Sequence, residues 1–310
     1  MFCFGRRFII DCIREGYKIP FYVSPPPAEF SNNRSGLEHS EFVHSAILEL
    51  LSLGRVCQVP KSCLNVINPL SVSVQSCGKR RLILDLRYIN HHVFKQKFKF
   101  EDWRVGLDYF EKGSYFTKFD LKSGYHHLDI FPEHQPFLGF FWVMSDGEPS
   151  FFIFTVLPFG LSSAPYIFTK CKLLRPLVKH WRSQGIRAVV YLDDGFNVES
   201  TESLSQIHSN ILRSDLAAAG FISNDDKSVW VPVQFIVWLG IVWDGILGNI
   251  SITESRIDKA LSHIDSALQP RALSARSLAS IVGKIISTSL VLGNLARIMT
   301  RHCQMAVAAA

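Results

Sequence analysis

Hydrophobic and polar positions change period several times along the chain. In "SEFVHSAILELLSLGR", Val43, Ile47, Leu50 and Leu51 share one face at helical spacing, with Ser40 placed as N-cap and Gly54 as the stop. "SVSVQSCGKRRLILDLRYIN" alternates instead, predicting a hairpin that turns near Cys77-Gly78. Its second strand directs Arg81, Ile83, Asp85 and Arg87 to one face and Leu82, Leu84 and Leu86 to the other. Further strands are predicted to end near Asp120 and to run through "FFIFTVLPFG". "IRAVVYLDDGFNV" reads as a hairpin with Asp-Asp-Gly at its turn, and "VQFIVWLGIVWDG" as a strand or strand pair. "SSAPYIFTKCKLLRPLVKHWRSQG" predicts a helix that opens with Ser162 or Ser163 as cap and Pro165 in its first turn, kinked or interrupted at Pro176. After a helix through Asp215 and Ala219, the tail is helical. Ile257, Leu261, Ile264 and Leu268 form one stripe, and Leu278, Ile281, Val282 and Ile285 another, with Pro270 between. Residues 20–36, rich in Pro, Ser and Asn, read as an extended linker. Residues 1–248 are therefore mixed α and β, and 250–310 helical, with no internal repeat.

Composition fits a packed globular chain rather than a disordered one. Of 310 residues, 47% are hydrophobic and 24 are Phe, so aromatic packing should dominate the interior. The net charge of +6 is compatible with a polyanionic partner without demanding one. Seven scattered cysteines with no CxxC pair predict free thiols in a reducing compartment. Asp11, Arg14 and Glu15 interrupt the N-terminal stretch where a signal peptide needs an apolar run, and no membrane-spanning length of apolar residues occurs. These features predict an intracellular protein with no membrane partner.

The costly feature is the adjacent pair Asp193-Asp194 inside an apolar run, with Asp120 ending another strand. If those strands are neighbours, three carboxylates meet and mutual repulsion raises at least one pKa. Divalent cations relieve such a cluster, and two ions about 4 Å apart clamp an in-line phosphoryl displacement. The bland reading is that Asp-Asp-Gly forms an ordinary surface turn. No basic residue adjoins the pair in sequence, which favours the metal reading. His126-His127 and His91-His92 lack a second ligand pair at zinc spacing, so structural or template-contacting roles are expected.

Read in order, the segments resemble reverse transcriptases. "YLDDG" resembles their tyrosine-x-Asp-Asp box, "FTKFDLKSGYHHLDI" the box with the first metal aspartate, and "LPFGLSSAP" the leucine-proline-x-glycine box. "GFISNDDKSVW" is similar to the box carrying a lysine, "VWLG" to the primer grip, and "GKRRLILDLRYIN" to the fingers strand. The resemblance is strongest to DIRS-type retrotransposons, which use a tyrosine recombinase, with Ty3-type elements second. It implies an α+β right-hand polymerase whose palm is an antiparallel sheet with packed helices. The implied division is an N-terminal extension or linker at 1–36, fingers at 37–110, palm at 111–248 with a fingers insertion near 131–160, and a thumb-like helical region at 249–310 leading toward a connection.

The resemblance also implies roles. Asp120, Asp193 and Asp194 would hold two Mg²⁺ ions, with Mn²⁺ as substitute. Arg81 would contact the triphosphate, and Tyr125 would lie beneath the sugar and exclude a 2′-hydroxyl. Phe159 and Gly160 belong to the turn against the nucleotide, and Lys227 would protonate the leaving pyrophosphate. Asp85 would orient Arg87. Lys227 sits beside Asp225 and Asp226, so a plain surface turn stays open there. Template and primer, RNA or DNA, would meet basic residues drawn from Lys95, Lys97, Lys99, Lys118, Lys122, Arg256, Lys259 and Arg276. Deoxynucleoside triphosphates are the implied substrates, and no RNase H or recombinase segment is recognisable in the chain. Two rivals stay open: a catalytically inactive retroelement remnant that binds nucleic acid, and a different two-metal enzyme such as a nuclease. "FTKCKLLRPL" also runs about two residues longer than the resemblance expects, which turns a helical face by roughly 200°.

Overall fold

The computed structural model describes residues 6–75, 78–122, 124–144, 147–168, 174–269 and 272–310. Helix α1 (Arg6–Glu15) leads into a segment that packs instead of linking. Cys12, Tyr17 and Ile19 are buried, Tyr17 bridges Ile130, and Phe21 bridges Val93. Strand β1 (Ala28–Glu29) and helix α2 (Arg34–Glu38) follow, so the expected linker at 20–36 is part of the fold. Proline removes a donor but leaves the neighbouring amides to pair, and Ala28, Phe30 and Asn33 all donate to carbonyls of 65–70. In α3 (Ser40–Ser52), Val43 and Ile47 are buried as the period predicts. Ser40 is its first helical residue rather than its cap; His39 holds that position and makes no side-chain cap bond.

Strands β2 (Val56–Gln58), β3 (Val66–Ile67), β4 (Leu70–Val74) and β5 (Arg80–Leu84) come next. β4 and β5 form the predicted hairpin, with Ser73 opposite Arg81; Cys77 of its turn lies outside the described residues. The alternation ends at Leu86, because Arg87–Asn90 is a short helix, α4. Helix α5 (Trp103–Tyr109) and strands β6 (Tyr115–Asp120), β7 (Gly139–Val143) and β8 (Pro149–Phe154) follow. One sheet has the order β1-β3-β7-β8-β2, its first two pairings parallel and the others antiparallel. Its core joins Phe140 and Phe152 to Val43, Ile47 and Leu84.

The short helix α6 (Ala164–Tyr166) begins at Ser163 with Pro165 in its first turn. Helix α7 (Leu174–Ser183) contains Pro176 and continues beyond it to Ser183. Residues 169–173, most of the long "FTKCKLLRPL" stretch, lie outside the described residues. Strands β9 (Ala188–Tyr191) and β10 (Asp194–Glu199), helix α8 (Glu202–Ala218) and β11 (Val229–Val233) complete an antiparallel sheet of order β11-β6-β10-β9. Phe119, Ala188 and Val190 face α7 and α8, where Trp181 is fully buried. Phe116, Val189 and Phe196 face the other way, onto Trp238 and Trp243.

Those tryptophans sit on β12 (Phe235–Trp238) and β13 (Ile241–Asp244), which form a third sheet with β14 (Asn249–Ile252). The segment read as a strand or strand pair is thus a pair, joined at Leu239-Gly240. The expected helical region at 250–310 opens in β14, and its described residues from Glu254 on form α9 (Glu254–Leu268), α10 (Ala275–Ile286), α11 (Ser289–Leu292) and α12 (Leu295–Ala308). The α9 stripe is poorly covered, with Leu261 at 53% and Leu268 at 76% exposure. No helix among the described residues is long and apolar enough to cross a membrane. Among the described residues, Cys57, Cys63 and Cys303 are free thiols.

Candidate active site

The antiparallel register of β6 and β10 sets Asp194 directly opposite Asp120. Directly opposed residues share a sheet face, so both carboxylates project to the same side. Asp193 joins them from the hairpin turn, and its carbonyl accepts a 2.9 Å bond from the Leu121 amide. The turn differs from the reading of the sequence. Tyr191 pairs with Asp194, so Leu192 and Asp193 are its two central residues and Gly195 lies within β10. Leu192 has φ 56, a conformation usually left to glycine at the first position of a hairpin turn. Gly195 serves close approach: a Cβ there would stand 2.1 Å from the Phe119 ring.

Burial raises the pKa of Asp193, and the Asp120 charge adds to the effect while Lys227 and Arg81 oppose it. Asp194 is pushed up to about 6, first by burial, then by Asp193 and Asp120. The site is thus an acidic cluster whose charges oppose one another. Lys227 Nζ lies 3.3 Å from Asp120 Oδ1, so a basic group does reach the cluster from outside its own strand pair.

Asp120 is held through side chain and backbone by the loop at 224–228. Asn224 donates through Nδ2 to Oδ1 at 3.1 Å, and its amide donates to the Asp120 carbonyl at 2.7 Å. The Asp120 amide in turn donates to Ser228 Oγ at 3.1 Å. Asn224 and Ser228 were not anticipated. The polar run "SNDDKS" signals a tight turn, but nothing local says which strand it clasps.

Tyr125, in a single turn at Gly124–His127, stacks near Phe159 and Phe168 at centroid distances of 4.9 and 5.3 Å. Its hydroxyl is pushed up to about 12 by burial, with further contributions from Asp193 and Tyr191. Phe159 stays 46% exposed and also meets His126. Gly160 has φ 104, and a Cβ there would fall 2.8 Å from the Leu84 carbonyl at the end of β5. The same turn is pinned by Asn90, which donates to the Gly160 carbonyl at 2.8 Å and accepts from the Ser162 amide at 2.7 Å. Asn90 was also missed, since it lies far away in sequence. Arg81 stands exposed on β5 with its charge acting on Asp193. Asp85 orients Arg87 through bonds of 2.6–3.0 Å and accepts from Asn33.

The histidines take structural partners. Half-buried His126 lies 3.0 Å from Arg55 Nη1, and its partial burial holds its pKa down to about 4. His127 spans Gly124 and the Ile222 amide. Lys118 donates to the Val237 carbonyl at 2.9 Å, and Arg256 donates to the Ser287 carbonyl at 3.1 Å.

Among the described residues, no group of three or more His, Cys, Asp or Glu side chains is arranged to hold a metal by itself. The donor set nevertheless fits Mg²⁺, which takes one or two carboxylates and completes its octahedron with water and substrate phosphate. Asp120 and Asp194, adjacent across the strand pair, supply such a partial set.

Known proteins resemble this chain in sequence and in fold. The family model described as reverse transcriptase (RNA-dependent DNA polymerase) matches residues 71–243. The genome polyprotein of Petunia vein clearing virus is 35% identical over 124 residues, covering 39% of this chain and 5% of the polyprotein. The retrovirus-related Pol polyprotein from transposon gypsy of Drosophila melanogaster is 27% identical over 209 residues, covering 66% of this chain and 19% of its own length. The chain therefore spans only a small part of these relatives. A structure of the foamy viral protease-reverse transcriptase in complex with double-stranded DNA superposes with a TM-score of 0.71 at 19% identity, covering 96% of this chain and 47% of that one. That likeness shows a shared α+β fold. On its acidic strand pair and on the family match across more than half its length, the chain belongs to the reverse transcriptase (RNA-dependent DNA polymerase) family.

Proposed function

We propose that this chain performs template-directed DNA synthesis by nucleotidyl transfer, on RNA or DNA templates, within a retroelement. The observation that carries this reading is the direct opposition of Asp120 and Asp194 with Asp193 at the adjoining turn. Two Mg²⁺ ions, when bound, would activate the primer 3′-hydroxyl and neutralise charge on the departing pyrophosphate. Asp120, Asp193 and Asp194 would hold them. The chain's own contribution is positioning and charge.

Arg81, exposed beside the cluster, suits a triphosphate because its guanidinium grips two oxygens at once. Tyr125 and Phe159 form an aromatic floor for the sugar, and Gly160 lets that floor approach β5. Lys227 reaches the Asp120 carboxylate and is the candidate proton donor to pyrophosphate. In this reading, residues 37–110 and the insertion near 131–160 are fingers, 111–248 the palm and 249–310 the thumb. The β12–β13 hairpin would be the primer grip. The DIRS type remains the proposed element class, with Ty3-type second.

Primer extension on a homopolymer RNA template with Mg²⁺ tests the reading, beside Asp193→Asn as control. Extension that vanishes in the variant is the expected result. Shortened primer would mean a nuclease, and binding without extension an inactive remnant.

A further inference from the structure

One asparagine and one lysine of the same loop converge on the Asp120 carboxylate, and they differ in the charge they bring. Asn224 Nδ2 donates to Oδ1 at 3.1 Å, while Lys227 Nζ lies 3.3 Å from that oxygen and 3.4 Å from Oδ2. The ammonium therefore spans both oxygens that a metal ion could use, and the amide engages one.

The two partners are also anchored differently. The Lys227 side chain is 58% exposed against 14% for Asp120, so its ammonium can swing into water on its own flexible stem. Asn224 is half-buried and fixed through its backbone. Its amide donates to the Asp120 carbonyl at 2.7 Å, and its carbonyl accepts from the amides of Lys227 and Ser228 and from Ser228 Oγ. Next in the chain, Asp225 accepts from Ser223 Oγ and Trp230 Nε1, and the Trp230 ring stacks on Phe119, the neighbour of Asp120. The amide is built to stay where the ammonium is free to move.

Charge decides which of them can share Asp120 with a metal ion. A divalent cation and an ammonium on one carboxylate repel each other at such short range. A neutral amide brings no such repulsion, and a carboxylate oxygen accepts more than one bond. Yet a carboxylate released by Lys227 and held by nothing else would turn away from Asp194 opposite it and Asp193 at the turn, because like charges repel.

We propose that Asn224 is a positioning residue that keeps the Asp120 carboxylate in place while Lys227 comes off it to admit a divalent cation. This rests on the reading of the three aspartates as metal ligands. It also orders the tasks of Lys227, which neutralises Asp120 until the cation replaces it and is then released toward the pyrophosphate.

The test is Mn²⁺ binding to the chain without primer or nucleotide, read from the electron paramagnetic resonance signal of the free ion. Lys227→Met should tighten binding about threefold, because an exposed ion pair no longer competes. Asn224→Ala should weaken it about tenfold, the contribution of a hydrogen bond to a charged group, with the backbone clasp intact. Ser228→Ala removes the acceptor of the Asp120 amide but nothing from the carboxylate, and should leave binding unchanged. Thermal melting checks that each variant is folded, and the Lys227→Met arm, on an exposed side chain, stands whether or not Asn224→Ala folds. In primer extension, Lys227→Met should reach half-maximal rate at lower Mg²⁺ yet with a lower kcat, a split that damage to the loop does not produce. Unaltered or looser Mn²⁺ binding in Lys227→Met overturns the displacement. Unaltered binding in Asn224→Ala, or equal weakening in Ser228→Ala, overturns the positioning role. Mn²⁺ binding that Asp193→Asn leaves intact overturns the metal reading itself.

Discussion

Tyr125 shows how a single side chain is tuned by what surrounds it. Its ring lies between Phe159 and Phe168, and its hydroxyl, pushed up to about 12, stays protonated at any working pH. A neutral, wedged ring is suited to exclusion rather than to proton transfer. Tyr125→Ala should therefore raise ribonucleotide incorporation at least tenfold relative to deoxynucleotide incorporation, read as the ratio of kcat/KM values; about 1.4 kcal/mol of lost discrimination is enough. An unchanged ratio would remove the steric role. His126, its neighbour, makes the pH prediction. Burial and the Arg55 guanidinium favour its neutral form, holding it near 4 against about 6.5 for an unfolded histidine. Below 6.5 the unfolded chain binds the extra proton first, so stability is complete above that pH and falls progressively toward 4. At pH 5 the loss is about 2 kcal/mol. Thermal melting at pH 7.5 and 5 should show a drop that narrows in His126→Gln.

At the scale of one element, β10 carries opposite kinds of acid at its two ends. Asp194 opens it in the acidic cluster, while Glu199 closes it in the core at 1% exposure. Glu199 accepts from Asn197 Nδ2 at 2.9 Å and from the Arg187 amide at 3.1 Å, and lies 2.7 Å from His208 on α8. Removing one partner of a buried polar set strands the others, so Glu199→Leu should cost about 3–5 kcal/mol in denaturant unfolding and Glu199→Gln clearly less. Equal costs would mean that packing, not the polar set, sets stability there. The same strand shows what periodicity conveys and what it misses. The alternation in "VVYLDDGFNV" marks a hairpin, yet it assigns the turn to Asp-Asp-Gly one residue too late. The registry with β6, and the Phe119 ring that needs Gly195 bare, decide the matter, and both are contacts across more than 70 residues. Likewise Ser40 is a sound local cap, but the chain enters that helix straight from α2, which moves the cap position to His39.

For the whole molecule, the acidic residues and the strands bearing them were legible because each box concentrates its chemistry within a few neighbours. The clasp on Asp120 and the pin on Gly160 were not, because Asn224 and Asn90 act 104 and 70 residues from their partners. Composition also misled at residues 20–36, where Pro, Ser and Asn suggested an extended linker. That early segment has a practical consequence for anyone shortening the protein. Cutting back to residues 71–243 would strip away β1, β2 and β3 together, leaving both flanks of β7–β8 with open peptide groups. Such a trimmed polypeptide keeps Asp120, Asp193 and Asp194 yet should self-associate along those bare margins, so its inactivity would speak of stickiness and not of chemistry.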